Sequence, residues 1–116
     1  MDGADCLFCR IAAGTIPARV AHADELIVAF HDIAPQAPVH LLLIPRRHLA
    51  SVRELGPDDG ALLARVHAVA ARLAAELGVA ESGFRLVTNA GPDAGQSVAH
   101  LHWHLLGGRG LGWPPG

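Results

Sequence analysis

Three histidines occupy alternate positions in His100-Leu101-His102-Trp103-His104, with apolar residues between them. On an extended strand alternate side chains share a face. The three imidazoles would then stand in a row at roughly 6.6 Å intervals, twice the rise per residue, while Leu101, Trp103 and Leu105 enter a core. Imidazole exchanges protons near neutral pH, and its neutral form carries a lone pair able to attack phosphorus. Neighbouring imidazoles disfavour one another's charged form, so His102, at the centre, is expected to keep that lone pair free. The chemistry to expect is nucleophilic displacement assisted by proton transfer.

A phosphate would need a cradle as well as a nucleophile. Gly95-Gln96-Ser97 precedes the histidines. A glycine there lets the backbone approach closely, and successive N–H groups can form an anion-binding concavity. All nine basic residues are arginines, which excludes a phosphate-loop lysine and a lysine Schiff base. A formal charge of −2 gives no basic stripe for a nucleic acid polymer or an acidic membrane. The acidic start Met1-Asp2-Gly3-Ala4-Asp5 is unlike a secretory signal, and no run approaches the ~20 apolar residues of a membrane span, so a cytoplasmic protein is expected. Two cysteines, Cys6 and Cys9, rule out a disulfide framework; their C-x-x-C spacing points to a metal or redox pair.

The elements that must position these residues follow from periodicity. Leu7, Phe8 and Ile11 recur at helical spacing ahead of Gly14, predicting a short helix between Asp5 and Ala13. Arg19 to Ala23 and Leu26 to Phe30, separated by Asp24-Glu25, predict a β-hairpin. His40 to Ile44 is a dense apolar strand stopped by Pro45, fed by a loop with Pro35 and Pro38. Between Pro57 and Gly78, the residues Leu62, Leu63, Val66, Val69, Ala70, Leu73 and Leu77 mark one face of a long helix. Phe84 to Thr88 and Val98 to Leu106 complete five strands. At 116 residues and 51% apolar, the chain suits one α+β domain over residues 1–116: a five-stranded antiparallel sheet with one long and one short helix. Residues 107–116 form a Gly- and Pro-rich tail bearing Trp113.

The sequence resembles the histidine-triad superfamily, and within it the Hint branch of nucleotide-binding proteins. The resemblance spans nearly the whole chain. It is carried by Phe30-His31-Asp32-Ile33-Ala34-Pro35-Gln36-Ala37-Pro38-Val39-His40, Ile44-Pro45-Arg46-Arg47-His48, Gly95-Gln96-Ser97-Val98, the triad with Leu105-Leu106-Gly107-Gly108-Arg109, and Trp113-Pro114-Pro115-Gly116. The ending is what resembles the Hint branch rather than the related dinucleotide hydrolases. The resemblance implies a homodimeric purine nucleoside phosphoramidase that cleaves AMP from amines through a covalent nucleotidyl-histidine, with no cofactor needed for the chemistry.

Carried to matching positions, it implies His102 as nucleophile, His104 bonding the phosphate or bridging atom, His40 beside the nucleophile, and Ser97 at the departing amine. Gly95 and Gln96 belong to the phosphate loop. Asp32 is implied as the ribose carboxylate, Ile16, Phe30, Ile33 and Leu42 as walls of the base pocket, Asn89 as a polar contact near phosphate and sugar, and Trp113 as a selector of the leaving group. Some bacterial members and the related galactose-1-phosphate uridylyltransferases carry a zinc-binding cysteine pair completed by two histidines, matched here by Cys6, Cys9, His48 and His100; animal Hint proteins lack the cysteines. Two other functions fit the same motifs: a nucleotidyl transferase or dinucleotide hydrolase of the superfamily, and a nucleotide-responsive binding module.

Overall fold

The computed structural model describes residues 5–116; the first four residues of the acidic start lie outside the described residues. Five strands, β1 (Val20–Ala23), β2 (Ile27–His31), β3 (Val39–Pro45), β4 (Phe84–Thr88) and β5 (Trp103–Gly107), form one sheet. Its order is β1-β2-β3-β5-β4, every neighbouring pair is antiparallel, and β3 is central. A short helix, α1 (Leu7–Ala12), precedes the hairpin, and a long one, α2 (Gly60–Glu76), joins β3 to β4. This is the α+β architecture expected from the sequence.

Each face of the sheet is covered by a helix, and strand parity decides which residue meets which. Ile27, Ala29, Leu41, Leu43, Trp103 and Leu105 point to the face that buries Leu62, Val66, Val69, Ala70 and Leu73 of α2. Val28, Phe30, Leu42 and Ile44 point the other way, to Cys6 and Phe8 at the start of α1. Covering both faces explains why β2 and β3 read as nearly continuous apolar runs rather than alternating ones. His40 and His104 interrupt the apolar pattern on the α1 face. Leu42 is paired with His104 and His40 with Leu106, so the two imidazoles are diagonal neighbours on adjacent strands.

One boundary differs from expectation. The fifth strand begins at Trp103, not Val98, and residues 98–100 are bent. On one side the ladder ends with its partner, since Thr88, the last residue of β4, pairs with Trp103; on the other, β3 runs on from Leu43 to Pro45, which has no N–H to donate. The bend is held by Leu101 N–H to the Leu49 carbonyl, and by the Thr88 hydroxyl, which donates to the His102 carbonyl at 2.7 Å. The three histidines therefore do not share one strand. Their sides still alternate: Leu101 enters the α2 core, while His100 and His102 both meet the ring of Phe8 on the α1 side.

Candidate active site

The imidazole of His102 is almost fully buried, with Phe8 edge-on at 5.2 Å between ring centres. Its Nδ1 lies 2.7 Å from the carbonyl oxygen of His100. A carbonyl can only accept, so Nδ1 carries the proton, and in the neutral ring Nε2 holds the lone pair. Among the described residues, no buried side-chain nitrogen or oxygen lacks a partner. Nε2 has none, so it must reach the cleft that His102 lines.

A second chain of bonds fixes His104. The backbone N–H of Gln36 donates to Nδ1 of His40 at 3.0 Å, so the proton of neutral His40 is on Nε2. That nitrogen lies 2.9 Å from Nδ1 of His104 and donates to it. His104 is left with its own proton on Nε2, as a donor. Burial, then the neighbouring His102 and His40 rings, push His104 down to about 4, against the opposing pull of Asp32; burial lowers His40 as well. With the rings neutral, the site presents one lone pair, on His102, and one N–H donor, on His104, from rings 5.1 Å apart. His40 does not sit beside His102 as expected; the diagonal register gives it to His104.

The cleft has a volume of about 580 Å³ and runs from these histidines to α1 and the α1–β1 connection. Of the expected nucleoside contacts, Ile16, Phe30, Asp32 and Leu42 line it, as does Ser97 at the histidine end. Ile33 reaches only the rim and is 102% exposed, so it forms no wall within this chain. Asp32 binds the Ala34 N–H through Oδ1 and lies 3.5 Å from His40 Nε2 through Oδ2. Phe8, Leu7, Ile11, Arg19 and His31 also line the cleft and were not singled out from the sequence. Phe8 had a visible signal, its helical spacing with Leu7 and Ile11, but that pattern reads equally well as core.

Four expected contacts lie elsewhere. Gln96 is consumed by the loop: its amide donates to the Ala50 and Val98 carbonyls and accepts from Gly91 N–H, and its own N–H bonds the Gly91 carbonyl. Gly95, with φ +82, closes the turn that begins at Pro92 and does not line the cleft. Asn89 lines a separate hollow of about 450 Å³ with His40, His104, Arg85, Arg109 and the tail. There Arg85 donates to the Gly112 carbonyl and Arg109 to that of Gln36. Trp113 is 84% exposed and lines neither.

Behind the triad, Cys6, Cys9, His48 and His100 converge, with all four ligating atoms within 4.8 Å of one another. Nδ1 of His100 is 3.2 Å from Cys6 Sγ and 3.4 Å from Cys9 Sγ, and Nδ1 of His48 is 3.2 Å from Cys9 Sγ. Bond lengths of about 2.3 Å to sulfur and 2.0 Å to nitrogen put tetrahedral zinc ligands roughly 3.5 Å apart, close to these separations. His100 also donates from Nε2 to the Pro45 carbonyl at 2.9 Å, which leaves its Nδ1 unprotonated and aimed at the cluster. Burial and the adjacent Cys6 push the Cys9 thiol up to about 11. A cation is what would hold both sulfurs as thiolates. The donor set fits zinc.

Comparison with known proteins bears on this geometry. A family model described as "HIT domain" matches residues 13–111. A HIT family hydrolase from Legionella pneumophila of known crystal structure is 52% identical with a TM-score of 0.94, over 97% of this chain and 100% of that one. An uncharacterised HIT-like protein of Synechocystis is 47% identical over 97% of both chains. The purine nucleoside phosphoramidase of Escherichia coli K12 is 42% identical over 93% of this chain and 91% of that protein.

Proposed function

Because this chain belongs to the HIT domain family, we propose that it hydrolyses purine nucleoside phosphoramidates and related AMP conjugates through a covalent nucleotidyl-His102 intermediate. The observation that carries this reading is the opposed pair of tautomers, a lone pair on His102 Nε2 beside an N–H donor on His104. Similarity to the phosphoramidase of E. coli supports the choice of a P–N bond. His102 Nε2 attacks phosphorus, the P–N bond breaks, and the amine leaves with a proton delivered at the Ser97 and His104 end of the cleft. Water then attacks phosphorus, the N–P bond to His102 breaks, and the nucleotide departs. His104 donates to the phosphoryl oxygens as their charge rises, which is where a fixed donor lowers the barrier most.

In this reading the ribose lies on Asp32, whose carboxylate has acceptor capacity beyond its bonds to Ala34 and His40. The base lies among Ile16, Phe30 and Leu42. Cys6, Cys9, His48 and His100 hold a structural zinc ion, which when bound supplies cross-linking of remote segments and no chemistry at phosphorus. We propose further that the protein is a homodimer and that it acts in the cytoplasm. Among the described residues no helix is long and apolar enough to cross a membrane.

The test is turnover on a panel of AMP conjugates with amine, sulfate, acyl and nucleotide leaving groups, with product analysis in water and with sugar phosphate added. Fastest release of AMP from the amine conjugates supports the reading. Preference for dinucleotides, or transfer of AMP to the sugar phosphate in place of hydrolysis, overturns it.

A further inference from the structure

The C-x-x-C pair is not consumed by the chemistry at phosphorus, yet it sits under the machinery. Cys6 caps α1, its sulfur accepting the Cys9 N–H at 3.4 Å. Six residues of helix cannot hold themselves in water. Through the cluster, however, α1 is tied to His48 and His100, and α1 in turn lends Leu7, Phe8 and Ile11 to the cleft wall. His100 joins the two systems, with its ring Nδ1 facing the sulfurs and its carbonyl holding the nucleophile's Nδ1–H. Cys6 is fully buried and Cys9 half-buried, so a small solute reaches Cys9 first.

We propose that Cys6 and Cys9 form a hydroperoxide-responsive dithiol whose closure to a disulfide dismantles the cluster and loosens both the α1 wall of the cleft and the seat of His102. The thiolate state rests on the zinc reading above, since coordination deprotonates a thiol outright. The Cys9 sulfur attacks the distal peroxide oxygen, the O–O bond breaks, and water or an alcohol leaves, giving a sulfenic acid on Cys9. The Cys6 sulfur then displaces that oxygen as water and the S–S bond forms. The two coordinated thiolates give up two electrons, one peroxide is reduced, two protons drawn from water complete the products, and the zinc ion leaves. Sulfurs bonded at about 2.05 Å must turn toward each other, away from the histidines they now face. A reductant reverses the step.

The experiment uses the protein as isolated, with zinc content measured first; absence of zinc overturns the zinc reading and, with the thiolate the metal supplies, this proposal too, whereas with zinc present the peroxide result decides this one alone. The protein is then treated with hydrogen peroxide and followed by intact mass, peptide mapping, metal release and AMP affinity. The expected result is a loss of two hydrogens mapped to a Cys6–Cys9 link, release of any bound zinc, and AMP affinity weakened about tenfold or more, all restored by dithiothreitol with zinc. A Cys9→Ser protein should show no such loss of affinity on treatment. Should that variant fail to fold, the reversal in the wild-type protein carries the same information. The proposal is overturned if the thiols survive peroxide that oxidises a free thiol, or if the disulfide forms and AMP affinity is unchanged.

Discussion

The Nδ1–H of His102 is bonded to the carbonyl of His100, 2.7 Å away and only two residues back in the chain. The bond needs the bend that ends β5 at Trp103, because on a continued strand the backbone carbonyl of His100 would be engaged in the ladder. The irregularity is therefore what aims the lone pair: an acceptor fixed on one ring nitrogen commits the other to the cleft.

His40 is a positioning residue for His104. In a His40→Ala protein the Nδ1 of His104 loses its donor, at a cost of about 1–3 kcal/mol in stability if the nitrogen stays buried. Turnover is expected to fall about tenfold or more, short of the loss on removing a group that transfers the proton itself. His40→Gln, whose amide can donate from a similar place, should recover part of the turnover. Urea midpoints together with kcat and KM separate the two effects; equal kcat in wild type and His40→Ala would show that the relay does not matter.

Stability should fall on mild acidification. His104 is held at about 4 against an ordinary value of 6.5, and His40, His100 and His31 are lowered in the same direction, chiefly by burial. Between those values the unfolded chain binds more protons than the folded one. The stabilisation is thus complete above pH 6.5 and is lost as the pH drops toward 4. Urea midpoints from pH 7.5 to 5 should decline, with a shallower decline in His104→Asn. A flat profile would contradict the lowering of His104 and His40 by burial.

Much of the fold was legible because strand and helix periods are local properties. The bounds that the sequence predicts for Phe84–Thr88 are those of β4, and Gly14 and Gly78 both adopt the positive φ expected of a helix end. The extent of β5 was not legible, since alternation continues through Val98 to Leu106 and pairing stops where β4 ends at Thr88 and where Pro45 of β3 offers no N–H. For the same reason no local pattern signals that His40 bonds His104: that follows from register. Gln96 belongs to a phosphate loop by resemblance, whereas its side chain is spent on Gly91, Val98 and Ala50, the last a partner 46 residues away.

Gly107 is required by packing. A Cβ built there would lie 2.9 Å from Val79 Cβ and Cγ2, at the end of β5 where Phe84 and Val39 flank it. Gly107→Ala should cost about 1–3 kcal/mol through overpacking, and adding Val79→Ala should return part of it. Thermal unfolding of the single and double variants checks this; additive losses would show that the contact is not the cause.

The most direct measurement traps the covalent intermediate. Protein mixed with a slowly hydrolysed adenosine phosphoramidate is quenched at alkaline pH, where phosphohistidine survives, and digested for peptide mapping. The expected result is one nucleoside monophosphate on the imidazole of His102, absent from His102→Asn. Label on His104, His40 or Ser97 in place of His102, or turnover undiminished in His102→Asn, would contradict the assignment of the nucleophile.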